Sequence, residues 1–475
     1  MVSCTVQKAR EAGREWAKRT PLQRVAALRR LRDLIAANSD SVAQLVSDEI
    51  RKPLQEAYGA DVLASLKALN WLERIAPKAL AERKIVGGRG AFQQAIPCGV
   101  VGVIGTWNYP VYLNVTPIAW ALAAGNAIVW KPSELAEQSA CALAALFEQA
   151  GLPVFTVVGG GEVGRELCNA GCDKIVFTGG VPTGRAILSE LAHYGTPAVM
   201  ELSGHDAMIV CADADVTLAA RSAVWGRISN AGQSCVAPGR IYVVAAVYES
   251  FLAECRHEME FLKAGTDYGP LRTEALRQRS HLMVKDAVAK GARLLIGGHC
   301  LPDENGAYYS PALLADCRAG MSVFGQDFFG PVLAVWSVAD EAEAVAQANR
   351  SAMGLGATIW TRDAAKGVRL AREINAGTVS INDVLLDGAE PHLPFGGMGA
   401  SGFGKQRGLA GLEEFVVWKT IAPHPSGGSR RHLFPYRTAT LPILRGLIAL
   451  QAAKGVKAKI TAARALGQAA MKWKE

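Results

Sequence analysis

The sequence predicts an α/β protein built from two successive parallel-sheet units, and three observations carry that expectation. Continuous apolar runs (GVVGVIG, NAIVWKP, PVFTVVGG, KIVFTGG, AVMELSG) are mostly separated by helix-length segments, the pattern of a parallel sheet covered on both faces. A second series follows Gly204: DAMIVC, GRIYVVA, ARLLIGG, FFGPVLAVWSV, ATIW and TVSIND. The chain has 475 residues, length for two or three structural units, and is 50% hydrophobic, 20% charged and 7% aromatic, which excludes disordered, collagen-like and disulfide-miniature classes.

In chain order, residues 6–83 place Val25, Leu28, Leu31 and Leu34, then Val42, Leu45 and Val46, at helical spacing, and predict a helical opening. KIVGGRGAFQQAIPCGVVGVIG, residues 84–105, reads as a projecting hairpin around a Gly-Gly-Arg-Gly turn that leads into a sheet strand. The most apolar stretch, residues 113–130, is broken by Asn114, Pro117, Gly125 and Asn126, so it predicts a buried helix and strand rather than a bilayer span. EEFVVWKTIA predicts one more strand and PHPSGGSRR a linker.

Lys8, Arg10, Glu11, Arg14 and Glu15 occupy the positions where a secretory leader needs apolar residues, so a cytoplasmic chain with reduced thiols is expected. Of ten cysteines, only Cys168 and Cys172 are closely spaced, with no second pair to complete a zinc site, and no metal is expected. The net charge of +8 is concentrated at the end: residues 426–475 hold ten bases and one acid, leaving the preceding 425 residues at −1. No nucleic-acid partner is expected of the body, and attraction to anions belongs to the tail.

Five short segments carry chemistry-bearing residues. FTGGVPTG is a strand ending in a glycine-rich turn that opens a helix; it reads either as a tight turn or as a cradle of N–H groups for phosphate. Lys131 and Glu134 follow another strand, as ribose-binding groups or as solvated charges. Cys235, among small residues in SNAGQSCVAPGR, is a candidate nucleophile or an inert thiol. Glu201 ends the apolar strand of MELSG, where a carboxylate must be solvated, paired or functional. Asn108, in GTWNYP, is a turn former or a functional amide.

Together GTWNYP, AAGNAIVWKPSE, FTGGVPTG, MELSG, NAGQSC, FFGPV and PFGGMGASGFG resemble, in order and approximate spacing, the aldehyde dehydrogenase superfamily over about residues 6–423. WNYP, IND with Val384 following, and PFGGMG look most like the branch acting on fatty or aromatic aldehydes. The resemblance implies a Rossmann-like cofactor domain (residues 1–83 and 98–204), an α/β catalytic domain (205–412), and an oligomerisation element (84–97 and 413–423) that makes a homodimer or homotetramer. Residues 424–475 remain as a basic tail.

Carried over residue by residue, the resemblance makes Cys235 the nucleophile, Glu201 the general base 34 positions earlier, and Asn108 the oxyanion-holding amide. Trp107, Lys131, Glu134, Gly179, Gly184, Asp327 and Phe329 match cofactor positions, and Tyr109, Tyr112, Leu113 and Phe395 match the substrate tunnel. Glu134 favours NAD, since a carboxylate bonds a ribose hydroxyl and repels a 2′-phosphate; NADP is the alternative. Chemistry requires the same residue types. A thiolate makes the aldehyde carbon tetrahedral, one oxyanion donor contributes about 3 kcal/mol, hydride leaves to the nicotinamide, and a base activates water against the thioester. Retention of Glu201 predicts hydrolysis rather than transfer to coenzyme A; a coenzyme A-acylating enzyme and a catalytically idle scaffold are the alternatives.

Three features depart from the family pattern. Asp327 stands for the usual glutamate, one methylene shorter; Ser203 and His205 give E-L-S-G-H for E-L-G-G-K; and the tail is long. In that tail Leu441, Leu444, Ile448, Ala452, Val456, Ile460, Ala463, Leu466, Ala470 and Trp473 recur at steps of three or four. They predict an amphipathic helix lying on an anionic membrane or packed on its own oligomer, or else a frayed basic end.

Overall fold

The structure is a computed structural model that describes residues 2–88, 90–302, 306–325, 328–385, 389–424, 434 and 436–471. It separates into a large unit, residues 1–83 and 93–420, and a small one, residues 84–92 and 421–475.

The large unit opens with helices Val2–Ala17, Pro21–Ala37, Ser39–Ile50 and Ala64–Ala79. The second starts on a capping box, Thr20 accepting from the Gln23 N–H while the Gln23 side chain accepts from the Thr20 N–H. Before the fourth, Ala57–Leu63 forms a stretch of π-helix, whose wide turn carries the buried Asp61.

The first sheet has six strands in the order Gly402–Phe403, Ala198–Glu201, Lys174–Thr178, Val100–Ile104, Ala127–Lys131, Val154–Thr156, all parallel except the first. Its strands are buried on both faces, which is why they read as unbroken apolar runs: Val101, Val103, Ile128 and Trp130 enter one core, Val100, Ile104, Ala127 and Val129 another. Strand order reverses between Val100–Ile104 and Lys174–Thr178, opening a crevice at their carboxyl ends.

The second sheet has seven strands: Arg293–Ile296, Ala312–Ala315, Val332–Val338, Pro238–Val244, Asp206–Val210, Gly356–Trp360 and Thr378–Ile381. Only Arg293–Ile296 is antiparallel. Met208 and Val210 face one core, Ala207 and Ile209 the other. A small sheet sets Phe92–Pro97 beside Val416–Ile421.

In the small unit, the Ile85 N–H bonds the Ala91 carbonyl across the predicted turn. The tail corrects one expectation: in place of a single helix there are two, Thr440–Ala452 and Val456–Met471, broken at Gly455 with φ of +82°. Gly446, Gly455 and Gly467 each weaken the helix in the sequence, but the step from Ala452 to Val456 keeps the helical period, so none of them reads as a break; glycine takes the left-handed turn without strain. Trp473 lies outside the described residues.

Candidate active site

The residues to which the sequence assigns roles gather at the carboxyl ends of the first sheet and the entry to the second. Glu201 ends its strand between Thr178 on the parallel neighbour and Gly402 on the antiparallel one. It is 2% exposed, and its Oε1 has no hydrogen-bond partner among the described residues. Burial pushes its carboxyl up to about 7, against the lowering effect of the Cys235 thiol, Arg407 and Thr178. The Cys235 thiol is raised well above its ordinary value, by burial first and then by Glu201. Cys235 is partly exposed as a residue and forms no disulfide.

Asn108 follows the strand Val100–Ile104. Its Nδ2 donates to the Gln233 carbonyl at 2.9 Å and its Oδ1 accepts from Thr106 Oγ1 at 3.0 Å, which fixes the amide's orientation and leaves one N–H uncommitted. Cys235 follows helix Val216–Ile228 through three left-handed residues, Asn230, Ala231 and Gly232, with φ of 51°, 54° and 74°. Two of these are not glycine, so the approach to the cysteine is strained and must be held. The Glu56 carboxylate accepts from the Asn230 N–H at 2.8 Å, Asn230 Nδ2 donates to the Asn108 carbonyl at 2.9 Å, and a Cβ on Gly232 would stand 2.3 Å from the Gly330 carbonyl oxygen. Gly204 lies equally close to the cysteine: a Cβ there would stand 2.1 Å from the Cys235 carbonyl oxygen.

Beneath Asn108 sits a support that sequence reading did not find. Lys52 and Asp61 form an ion pair of 3.0 Å with both side chains fully buried. The Lys52 ammonium also donates to the Asn108 carbonyl at 2.7 Å and lies 4.1 Å from the Tyr109 ring centre, while Asp61 accepts from the Val111 N–H. Glu56, four residues beyond Lys52, is pushed up to about 7 by burial, with Lys52 lowering it. Nothing in a helical segment with interspersed charges marks these as buried; Asn230 and Gln233, inside NAGQSC, offered the one available signal. Replacing Lys52 by methionine leaves a buried, unpaired carboxylate and should cost about 3–5 kcal/mol in denaturant unfolding. Adding Asp61→Asn is expected to recover most of that stability, but not the turnover lost when the Asn108 carbonyl loses its charged donor and keeps only Asn230.

At the cofactor positions, Lys131 ends its strand and its ammonium pairs with Glu134 at 2.8 Å. Burial raises the Glu134 carboxyl, but Lys131 and a main-chain N–H outweigh it and hold the group below its ordinary range. Gly179 packs against the Phe177 ring and Gly184 against Leu202, each without room for a side chain. The helix that follows Gly179 and contains Gly184, Val181–Ala192, starts at Gly180 with no side-chain cap, so its first N–H groups are available to an anion. Trp107 and Phe329 meet edge to face at 6.1 Å. Arg227, buried, ties the Phe328 and Val332 carbonyls on either side. These groups fit a dinucleotide. Asp327 lies outside the described residues.

Phe395 and Tyr112 are buried, Tyr109 and Leu113 partly so. The Tyr112 hydroxyl is engaged by Arg407 and donates to the Ala389 carbonyl; Arg407 also stacks 4.3 Å from the Phe395 ring centre. A cavity of about 30 Å³ is lined by Phe395, Val236, Val384 and Leu385 on its apolar side and by Asp206, Thr358, Ser380 and Asp383 on its polar side. His205 is buried and held neutral by burial and by Arg240 and Arg227. Its carbonyl accepts from Arg240, a structural use. Cys211, Asp213 and Glu341 form a three-ligand cluster among the described residues, and Lys366 supplies its cation, 2.6 Å from Asp213 and 3.2 Å from Glu341.

A thiol, a raised carboxyl and a fixed amide come together at the end of a dinucleotide-type sheet, and the family comparison makes the protein an oxidoreductase acting on the aldehyde group. Residues 1–421 match the aldehyde dehydrogenase family, and the chain belongs to it. It is 36% identical to the 4,4′-diapolycopene aldehyde oxidase of Methylomonas sp over 428 residues, 87% of this chain and 80% of that one. It is 35% identical to betaine aldehyde dehydrogenase 2 of Rhizobium meliloti over 433 residues, covering 88% and 89%. Among solved structures, the Mycobacterium tuberculosis aldehyde dehydrogenase complexed with NAD+ superposes with a TM-score of 0.85 at 32% identity, covering 90% of this chain and 91% of that one. The reaction is NAD(P)-dependent oxidation of an aldehyde to the acid.

Proposed function

We propose that the enzyme oxidises an apolar aliphatic or aromatic aldehyde by a hydrolytic, cysteine-bound route. One observation carries this reading: the Cys235 thiol lies beside a buried carboxyl, Glu201, that titrates near 7 and keeps one oxygen unpartnered. The thiol rests protonated, so attack requires a base, and Glu201 is the group placed to take the proton. As the sulfur–carbon bond forms, the carbonyl electron pair moves to oxygen, where the free Asn108 N–H and the Cys235 N–H hold it. NAD or NADP, when bound, is the hydride acceptor. Lys131, Glu134, Gly179, Gly184, Trp107, Phe329 and Asp327 would hold it, with Glu134 favouring NAD. Once it has passed the thiol proton to solvent, Glu201 removes a proton from water, whose oxygen attacks the thioester carbon; the carbon–sulfur bond breaks, the carboxylic acid leaves and the Cys235 sulfur takes back a proton.

Phe395, Tyr109, Tyr112 and Leu113 wall the approach, and their apolar character favours the fatty or aromatic branch of the family. In the same reading, residues 1–83 and 98–204 bind the dinucleotide and residues 205–412 carry the cysteine. Residues 84–97 and 413–423 join copies into a dimer or tetramer, and the enzyme works in the cytoplasm. Acid and NADH formation should be followed over aliphatic and aromatic aldehydes, with and without coenzyme A. Expected is turnover without coenzyme A, with kcat/KM rising about fourfold per added methylene until the tunnel is filled. Preference for a charged aldehyde, or dependence on coenzyme A, overturns the reading.

A further inference from the structure

The two tail helices fold back on each other through small residues. Gly446, Ala462 and Ala469 are buried, and a Cβ on Gly446 would stand 3.0 Å from the Leu466 Cα. Leu466 packs into this seam, while other large apolar side chains stay outside it. Leu441, Leu444 and Ile448, at i, i+3 and i+7, are 55%, 50% and 67% exposed. Val456 and Ile460, at i and i+4, are 75% and 48% exposed. A helix pair that met only water would turn such residues inward and show its alanines.

Charge selects the occupant of these stripes. Arg445, Lys454, Lys457, Lys459 and Arg464 share the two helices and the turn between them, and residues 424–471 contain no acid. A second copy of the same hairpin would bring the same cations against them. A nucleic acid would take the cations and leave the leucines and isoleucines in water. A bilayer with anionic headgroups takes both, acyl chains receiving the stripes and headgroups the cations. The helices have 13 and 16 residues, and no described helix is long and apolar enough to cross a membrane, so the hairpin lies in the interface plane.

We propose that residues 440–471 are a docking element for an anionic lipid bilayer. The docking stands on these residues alone and holds whichever aldehyde the active site takes; joined to the apolar-substrate reading, it brings the site to aldehydes dissolved in the membrane.

The test is sedimentation of the full chain with phosphatidylglycerol–phosphatidylcholine vesicles and with phosphatidylcholine alone. Two full-length variants accompany it: Lys454→Gln, Lys457→Gln, Lys459→Gln and Arg464→Gln together, and Leu444→Ser, Ile448→Ser and Ile460→Ser together. Aldehyde-dependent NAD reduction and circular dichroism report that each variant is folded. Expected is binding of wild type to the anionic vesicles only, weakened about a hundredfold or more by removing the cations at low salt and lost with the stripes. Absence of vesicle binding by wild type, or equal binding by all three proteins, overturns the proposal. So does a stripe variant that breaks the oligomer in light scattering while wild type ignores vesicles, for then a second copy covers the stripes.

Discussion

Cys235→Ala is expected to abolish aldehyde-dependent NADH formation, by about four orders of magnitude or more, while the chain keeps its native circular dichroism. Glu201 Oε1 is the one buried carboxylate oxygen without a hydrogen-bond partner among the described residues, and the raised cysteines Cys168, Cys172, Cys211, Cys255 and Cys317 are sealed in the core. None can substitute. Mass spectrometry of the wild type mixed with aldehyde and NAD should find the acyl group on the peptide containing Cys235 and nowhere else. Turnover that survives the substitution, or an adduct on another cysteine, would overturn the assignment.

Glu201→Gln should separate the two halves of the reaction. Because Glu201 is the base for water as well as for the thiol, the variant is expected to lose about two to four orders of magnitude in steady turnover and to accumulate acyl-enzyme. The wild-type rate should climb as pH rises through about 7, where Glu201 loses its proton, and the variant should lack that limb. Stability runs the other way. A carboxyl raised from 4.5 to about 7 favours the folded state below its unfolded value, and the advantage is lost as pH rises towards about 7. Glu201→Gln removes a burden of about 3 kcal/mol at about pH 8 and none at about pH 4, readable as an unfolding midpoint that rises only on the alkaline side. A variant with unchanged midpoint at both would place the carboxylate in water.

What the sequence made legible follows from what burial does to composition. Strands covered on both faces must be apolar throughout, so GVVGVIG and KIVFTGG announced themselves, whereas the cysteine, glutamate and asparagine each kept more than one reading until the seven motifs were taken together. The two-residue strands Met398–Gly399 and Gly402–Phe403 are too short for any period to show. Lys52, Glu56 and Asp61 were missed for a different reason: a charge on a helix looks solvated until the neighbouring loop is seen to cover it. The tail's helical period shows in the sequence, and Gly455 reads there as a weak point rather than a break, because a left-handed glycine interrupts direction without interrupting phase.

The pairing of Gly402 with Glu201 sets the order in which reactivity can arise. The site draws on residues 52–61, 106–112, 201–205, 230–236 and 395–407, so it closes through contacts between segments far apart in the chain, the kind that form late. During synthesis the thiol emerges some 170 residues before the strand that clamps its base. A nascent or half-folded chain therefore carries an ordinary cysteine, and the nucleophile becomes competent only when the last strand of the sheet is laid down.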